Sequence, residues 1–590
     1  MATAIDFETY YDKNYSIKNL GNQGYVAHKD FDPYMVSLVN PERGIKYVGH
    51  PKHAPWDKLP DVPHLVAHNA GFDSTVFQGA QRKGYIPDRF APKWDCTANL
   101  SVYIQAPRSL AGVSEQMFGI KPNKTIRDEM KGRTLSVLSE SAETDLKQYA
   151  LDDSNLCLRV WDTYRNYWPK EERVIARHTM ESGQRGVAIN LQYLWKGLQD
   201  LKERKYEAEK LIPWSSDSPP TSAICLKEYC KNEGIRAPKS TAVGNEDCEK
   251  WEAEFSDRYP VVQALRDWRS ANRLVRLLEL IAERQNGTNS LIEPGLLPFN
   301  LKYFGATLTG RWSGDAKINL QNIPRGETFG VDVRKMFVPR NGKKFIIADL
   351  AQIEPRCLAW TCGDAQLLDY VKQGKDIYEA HALSTMGVKR VTKQARQLAK
   401  IRVLGLGYGC GANKFAKIAE NWGIEMSLTE AKKVVRNYRK DNRSVLDFWA
   451  KCEEDFVANV GQDHRYRLPS GRWITYFNVF SQEKLGWGEN YINHLAAITR
   501  GAKPRSFYGG KICENIIQAT ARDVFADAYF RILKSGFNII WTVHDEFIVE
   551  VDENDSSARE EIERLMSITP EWLEGCPIGA EAIEAKHYTK

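Results

Sequence analysis

The sequence predicts a multidomain α/β protein, on three observations. The chain has 590 residues, which at ~100–200 residues per domain makes roughly three to five domains. Short apolar runs that end in carboxylates, Ala2–Phe7 near the start and Lys344–Leu350 in the second half, read as buried strands. Between these regions residues 166–290 read mainly as helix.

Composition excludes several classes. Apolar residues are 42% and charged residues 27%, which rules out wholesale disorder. No apolar run is long enough to span a membrane. Met1–Asp6 has no basic stretch followed by an apolar one, so no signal peptide is expected. Eleven scattered cysteines lack zinc-site spacing and read as reduced thiols of a cytoplasmic protein. The net charge, 82 − 76 = +6, is mildly basic. It admits a polyanion gripped in a cleft without requiring one.

The elements follow in order. Ala2–Phe7 and His64–Ala67 are expected strands of a first α/β region that ends near residue 165. In the helical stretch Leu274, Leu277, Leu278 and Ile281 share one helix face, with Asn286-Gly287 as a stop. Arg266, Arg269, Arg273 and Arg276 repeat at helical spacing, which is either a solvated face or a helix laid along phosphates. The Ser/Pro-rich Ser215–Ser222 reads as an exposed loop. Beyond residue 300, Lys344–Leu350 is an expected strand, Thr392–Leu404 and Thr429–Phe448 are expected helices, and Ile539–Val543 with Phe547–Val551 form an expected hairpin.

Acidic residues cluster where chemistry could use them. Asp6 and Glu8 lie two apart on a strand and so share a face. Their repulsion is relieved by a cation, and hard oxygen ligands favour Mg²⁺ or Mn²⁺. Asp73 follows an apolar run, and Tyr149 and Asp153 are four apart on a helix. Four carboxylates and a phenol could hold two metal ions for phosphodiester hydrolysis. Each motif alone is common and reads as an exposed edge or cap.

In this order the three groups resemble the exonuclease motifs of the DEDD superfamily, in its tyrosine-bearing branch. Asn69, four residues before Asp73, also matches the second of them in bacterial DNA polymerase I. The resemblance implies metal ligation by Asp6, Glu8 and Asp153, an outer or second-metal role for Asp73, and orientation of the attacking water by Tyr149. Asp152 is expected to be a bystander.

The second half carries a further set. Asp349-Leu350-Ala351-Gln352-Ile353-Glu354-Pro355-Arg356 resembles motif A of family A DNA polymerases, and Val543-His544-Asp545-Glu546 resembles their motif C. Between them Arg396, Lys400, Tyr408 and Gly409 match motif B. From Lys389 to Arg402 there are six cations and no acid. Arg396, Lys400, Leu404 and Tyr408 step by four and form one drifting stripe, suited to a ligand with phosphates at one end and a base at the other. Thr309-Gly310-Arg311, Asn319–Pro324 and Gln518–Asp523 extend the match, which covers nearly the whole chain and looks most like bacteriophage members.

The resemblance implies an RNase H-like 3′–5′ proofreading exonuclease domain over residues 1–165, followed by a right-hand polymerase. A thumb is expected at 166–300, the palm at 301–355 and 511–590, and fingers at 356–510. Asp349, Asp545 and the Leu350 carbonyl would hold two Mg²⁺ ions. Gln352, Glu354, Arg396, Lys400, Leu404 and Tyr408 would meet the dNTP, while Arg311, Gln518 and His544 would meet primer-template DNA. Lys400 also counts as catalytic. The expected protein is a monomer, accessory replication factors being unidentified. A 5′-nuclease activity is not expected of this sequence, since Asp6 of the first exonuclease motif stands so near its start. Leu350, Leu404, Pro355 and Glu514 depart from the family pattern, and Pro355 is expected to keep Glu354 extended or in a turn. A dedicated exonuclease, a single-subunit RNA polymerase and a DNA-binding scaffold are the rival readings.

Overall fold

The computed structural model of the chain describes residues 2–589 apart from 123–124, 243, 286–294, 316 and 486–489. Strand β1 (Thr3–Glu8) buries Thr3, Ala4, Ile5 and Phe7. Asp6 and Glu8 alternate onto one half-buried face. Helix α1 (Ile17–Ala27), β2 (Met35–Asn40), β3 (Ile45–Gly49), β4 (His64–Ala67), helix α2 (Ala70–Arg82) and β5 (Lys93–Cys96) complete the first layer. The sheet order is β3-β2-β1-β4-β5, with β1 parallel to β4 and antiparallel to β2. The acidic strand is therefore central. Helix α3 (Glu140–Tyr164), capped by Ser139 accepting from the Ala142 N–H at 3.2 Å, packs on this sheet. Ser37 of β2 donates to the Ala150 carbonyl at 2.8 Å, which pins the helix in register.

The next stretch is helical as expected, with α4 (Lys170–Arg185), α5 (Leu191–Lys210) and α6 (Pro260–Gln285) its long members. Leu274, Leu278 and Ile281 are buried and Leu277 partly so, against α5 and its surroundings. The expected stop at Asn286-Gly287 lies outside the described residues. Ser215–Ser222 is a run of turns. The basic stripe is split: Arg266, Arg273 and Arg276 are exposed, whereas Arg269 bonds Glu252 at 2.5 Å and Cys248 Sγ at 3.0 Å. A cation needs a partner to be buried, and Glu252, itself buried, supplies it.

Strands β6 (Leu301–Lys302) and β7 (Ser313–Gly314) pair as a small hairpin. The C-terminal half then follows with β8 (Lys343–Leu350), α7 (Ile353–Thr361), α8 (Lys393–Ile401), α9 (Leu428–Asp441) and α10 (Arg443–Val457). A separate antiparallel sheet comprises β9 (His464–Arg467), β10 (Trp473–Leu485), β11 (Asn490–Ala497) and β12 (Arg505–Phe507). Helix α11 (Gly509–Lys534) precedes the expected hairpin, β13 (Asn538–Val543) and β14 (Glu546–Asp552), and the edge strand β15 (Ala580–Ala585). These form an antiparallel sheet of order β13-β14-β8-β15. Helix α11 is buried along most of its length on that sheet, where Phe525 stacks on Phe547 with ring centroids 4.0 Å apart.

Three local expectations are corrected. The helix expected over Thr429–Phe448 is two helices. Asn442 breaks it with φ −112° and ψ 56°, and its side-chain amide donates to the Tyr438 carbonyl at 2.8 Å. The helix expected over Thr392–Leu404 is α-helical to Ile401 and then passes into a π turn, Arg402–Leu406. Gly407 permits the wider turn, since a Cβ there would lie 2.7 Å from the Val403 carbonyl oxygen. Pro355 does not hold Glu354 out of a helix, because both lie in the first turn of α7. The N–H that proline lacks is one that has no intrahelical acceptor there.

Candidate active sites

The first site is a cleft of about 1050 Å³ at the end of β1, lined among others by Asp6, Glu8, Tyr149 and Asp153. Asp73 sits behind it, 1% exposed, accepting the Phe7 N–H at 3.2 Å and so tying α2 to β1. Burial pushes the Asp73 carboxyl up to about 8. Burial, and then Glu8, Asp73 and Asp153, push Asp6 well above the ordinary range. Tyr149 is raised by burial and then by Glu8 and Asp153, and it bonds the Asp153 carboxylate. Arg127 lies alongside, raised despite its burial by Tyr149 and Asp128. Mutually repelling oxygens in a half-buried cleft are a donor set that fits a hard divalent cation. Among the described residues no three carboxylate, histidine or cysteine groups already stand at closed metal-ligand spacing.

The second site lies at the end of the C-terminal sheet. Asp349 is the last residue but one of β8 and stands opposite Glu546 in the register of β14. His544 and Asp545 form the two-residue turn between β13 and β14, with His544 at φ 56°. The Asp545 carbonyl accepts the Leu350 N–H at 3.1 Å, so the two strand ends are bonded side by side. Two carboxylates from adjacent strand ends are hard oxygen donors of the kind Mg²⁺ prefers.

The basic helix α8 and its π turn connect to this end through Tyr378, whose ring lies 5.6 Å from the Arg396 guanidinium and 5.8 Å from Lys400 Nζ and whose hydroxyl feels the charges of Asp545 and Glu354. An α-helix advances 3.6 residues per turn, so steps of four drift; the π turn widens the winding and carries the stripe on to Leu404 and Tyr408. The cations along the stripe have different partners. Arg396 Nε donates to Asp376 at 2.7 Å. Lys400 Nζ lies 4.6 Å from the ring centroid of Trp422 and 5.8 Å from that of Tyr378. Burial, Arg396 and Arg325 together push the Lys400 pKa down. Leu404 is 41% exposed and Tyr408 half-buried. Gln352 adopts φ 46° just before α7, and its Oε1 is buried without a hydrogen-bond partner. Arg311 and Glu354, expected to meet different ligands, are bonded to each other. Gln518 donates to Glu514 at 3.2 Å on α11.

Residues 196–588 match the model of DNA polymerase family A. The chain belongs to DNA polymerase family A. It is 23% identical to the DNA polymerase of Bacillus phage SP02, over 100% of this chain and 99% of that protein. It is 28% identical to DNA polymerase I of Aquifex aeolicus, over 54% of this chain and 50% of that protein. The POL domain of Pol1 from M. smegmatis, solved in complex with DNA primer-template and dNTP, superposes with a TM-score of 0.68 at 17% identity, over 100% of this chain and 95% of that chain. The mixed helix-and-sheet, multidomain architecture is thus that of a family A polymerase. No helix among the described residues is long and apolar enough to cross a membrane.

Three residues with no expected ligand role, Gln321 and Glu546 inside matched segments and Asp376 outside them, hold the backbone around the second site. Gln321 Oε1 accepts the His544 N–H at 2.7 Å while its amide donates to the Thr542 carbonyl at 2.5 Å, clamping the turn that carries Asp545. Glu546 is 1% exposed and accepts the Tyr588 hydroxyl at 2.9 Å. Asp376 both caps the helix Ile377–Thr385 and holds Arg396. Its place before Ile377 is a readable N-cap signal, but its contact with Arg396, twenty residues on, is visible only in the fold.

Proposed function

We propose that this family A polymerase extends a primer 3′ end with dNTPs at the C-terminal site and removes mispaired 3′ nucleotides at the N-terminal cleft, in phage genome replication. One observation carries the reading: two separate carboxylate sets stand at the ends of two separate sheets, Asp349 with Asp545 and Asp6, Glu8, Asp153 with Asp73. They share no residue, so two chemistries can run in one chain.

At each site the chain's own residues define the task. Asp349, Asp545 and the Leu350 carbonyl would hold a pair of Mg²⁺ ions in the palm, and Asp6, Glu8 and Asp153, with Asp73 behind, would hold a pair in the cleft; Mn²⁺ suits the same oxygens. Bound there, such ions supply charge neutralisation at the phosphoryl group and acidify the attacking hydroxyl or water. Lys400 donates to the incoming triphosphate as a point charge, the rings of Trp422 and Tyr378 keep it aimed, and among the described residues no acid pairs with it. Arg396 joins it by leaving Asp376. Tyr408 packs at the nascent base pair, with Leu404 and Glu354 walling the sugar. Arg311, Gln518 and His544 face the minor groove, where acceptors are common to all base pairs. Arg311 must first release Glu354, so DNA binding and a free gate are coupled. In the cleft Tyr149 orients the water. Primer extension on a defined template, beside digestion of a 3′ single strand, tests both halves.

A further inference from the structure

The acidic cleft has a second wall that does not belong to the N-terminal sheet. Residues of the β6–β7 hairpin and its flanks, among them Lys302, Tyr303, Asp315 and Lys317, line it opposite the carboxylates. Arg108 fixes this wall. Its guanidinium donates to Asn99 Oδ1 at 3.1 Å on the N-terminal side and to the Tyr303 carbonyl at 2.5 Å on the other. Tyr303 is itself buried, its hydroxyl donating to Glu172 at 2.7 Å. Lys302 Nζ meets Asp315 at 2.9 Å, and Lys317 Nζ reaches back to Asn19 Oδ1 of α1 at 3.3 Å. The hairpin and its flanks therefore bring two cations, Lys302 and Lys317, and one acid, Asp315, into the same cleft as the acidic face of β1 and α3.

We propose that the β6–β7 hairpin forms the outer wall of the nuclease cleft, where Lys302 and Lys317 grip the phosphodiester backbone of a 3′ single strand. The proposal rests on the exonuclease reading given above and adds a binding element supplied by the C-terminal part of the chain. A single strand is the ligand that matches the chemistry. Its phosphates need cations that are not tied to the carboxylates that would hold metal, and Lys302 and Lys317 are bonded instead to Asp315 and Asn19. Its bases need rings, and the half-buried Tyr11 and Phe72 line the same cleft. The Lys302–Asp315 pair is 41% and 42% exposed, so exchanging that carboxylate for a phosphate costs little.

The test uses the full chain and a single-stranded oligodeoxynucleotide, digested across a salt series. Lys302→Ala with Lys317→Ala should raise KM roughly five- to thirtyfold with kcat within about twofold. The slope of log affinity against log salt should flatten by about 0.7 per lost phosphate contact, ~1.4 in all. Asp315→Asn should lower KM, because it removes the acid that competes for Lys302. Extension of a paired primer should not change, which also shows that the variants fold. The paired arginine variant should restore KM if charge is the cause. An unchanged KM and salt slope, in an enzyme whose digestion is abolished by Asp6→Ala, overturns the wall and leaves the nuclease reading intact. Digestion that survives Asp6→Ala overturns both.

Discussion

Asp376→Asn should tighten dNTP binding. Asp376 Oδ2 accepts from Arg396 Nε at 2.7 Å, while Oδ1 accepts the N–H groups of Tyr378 at 2.9 Å and Glu379 at 3.0 Å. Asparagine keeps the capping oxygen, removes the charge and puts an amide donor where Oδ2 accepted from Arg396, so the helix Ile377–Thr385 stays capped while Arg396 is released. The ion pair is 40% exposed on the arginine side and 25% on the aspartate side. Such a pair is worth about 0.5–1 kcal/mol. A triphosphate that recruits Arg396 has to displace it. Without it the KM for dNTP should fall roughly two- to fivefold, with kcat changed less. Single-nucleotide incorporation kinetics on a defined primer-template measure both. Asp376→Ala, which also loses the cap, should in addition lower stability by about 1 kcal/mol. A KM that is unchanged or raised in Asp376→Asn would refute the competition and make Asp376 the residue that aims Arg396.

Three further outcomes are expected. Glu354→Ala should raise rNTP incorporation at least about tenfold relative to dNTP, since it removes both the clash and the unpaired polar contact at the 2′ hydroxyl; single-nucleotide kinetics with dGTP and GTP check it, and an unaltered ratio means Glu354 is not the gate. Arg273→Ala with Arg276→Ala should flatten the salt dependence of duplex binding by about one to two phosphate contacts, whereas Arg269→Ala should lower thermal stability because Glu252 loses its partner. Asp73, raised by burial to about 8, favours the fold when protonated, a contribution complete at low pH and lost as pH rises through that value, and Asp6, pushed up by burial and by Glu8, acts in the same direction. Mg²⁺ requires the deprotonated forms, so the Tm increase it produces should be larger at about pH 9 than at about pH 6; equal increases would separate these carboxylates from metal binding.

Much of this architecture was legible from strand chemistry. KFIIADL is apolar and β-branched up to its carboxylate, and it forms β8 as read. The hairpin was visible because β-rich runs flank His544 and Asp545, residues that tolerate a turn. The acidic alternation in β1 likewise told which face Asp6 and Glu8 share. What stayed hidden depends on contacts far apart in sequence or on competition within one helix. The π turn after Ile401 has no signal in residue periodicity beyond its glycines. The ion pair that draws Arg269 out of the exposed stripe depends on Glu252 in another helix, so spacing alone could not separate it from Arg266, Arg273 and Arg276. The Arg311–Glu354 pair joins residues whose motifs, read singly, point to different ligands.

The separability of the two sites is the most direct test. Primer extension and digestion of a 3′ single strand should be measured on the same preparations of wild type, Asp6→Ala with Glu8→Ala, and Asp349→Ala. The first variant should lose digestion and keep extension near the wild-type rate, and the second should lose extension and keep digestion, if the two sites are separate. Loss of both activities in either variant, with an unchanged thermal melt, would contradict it.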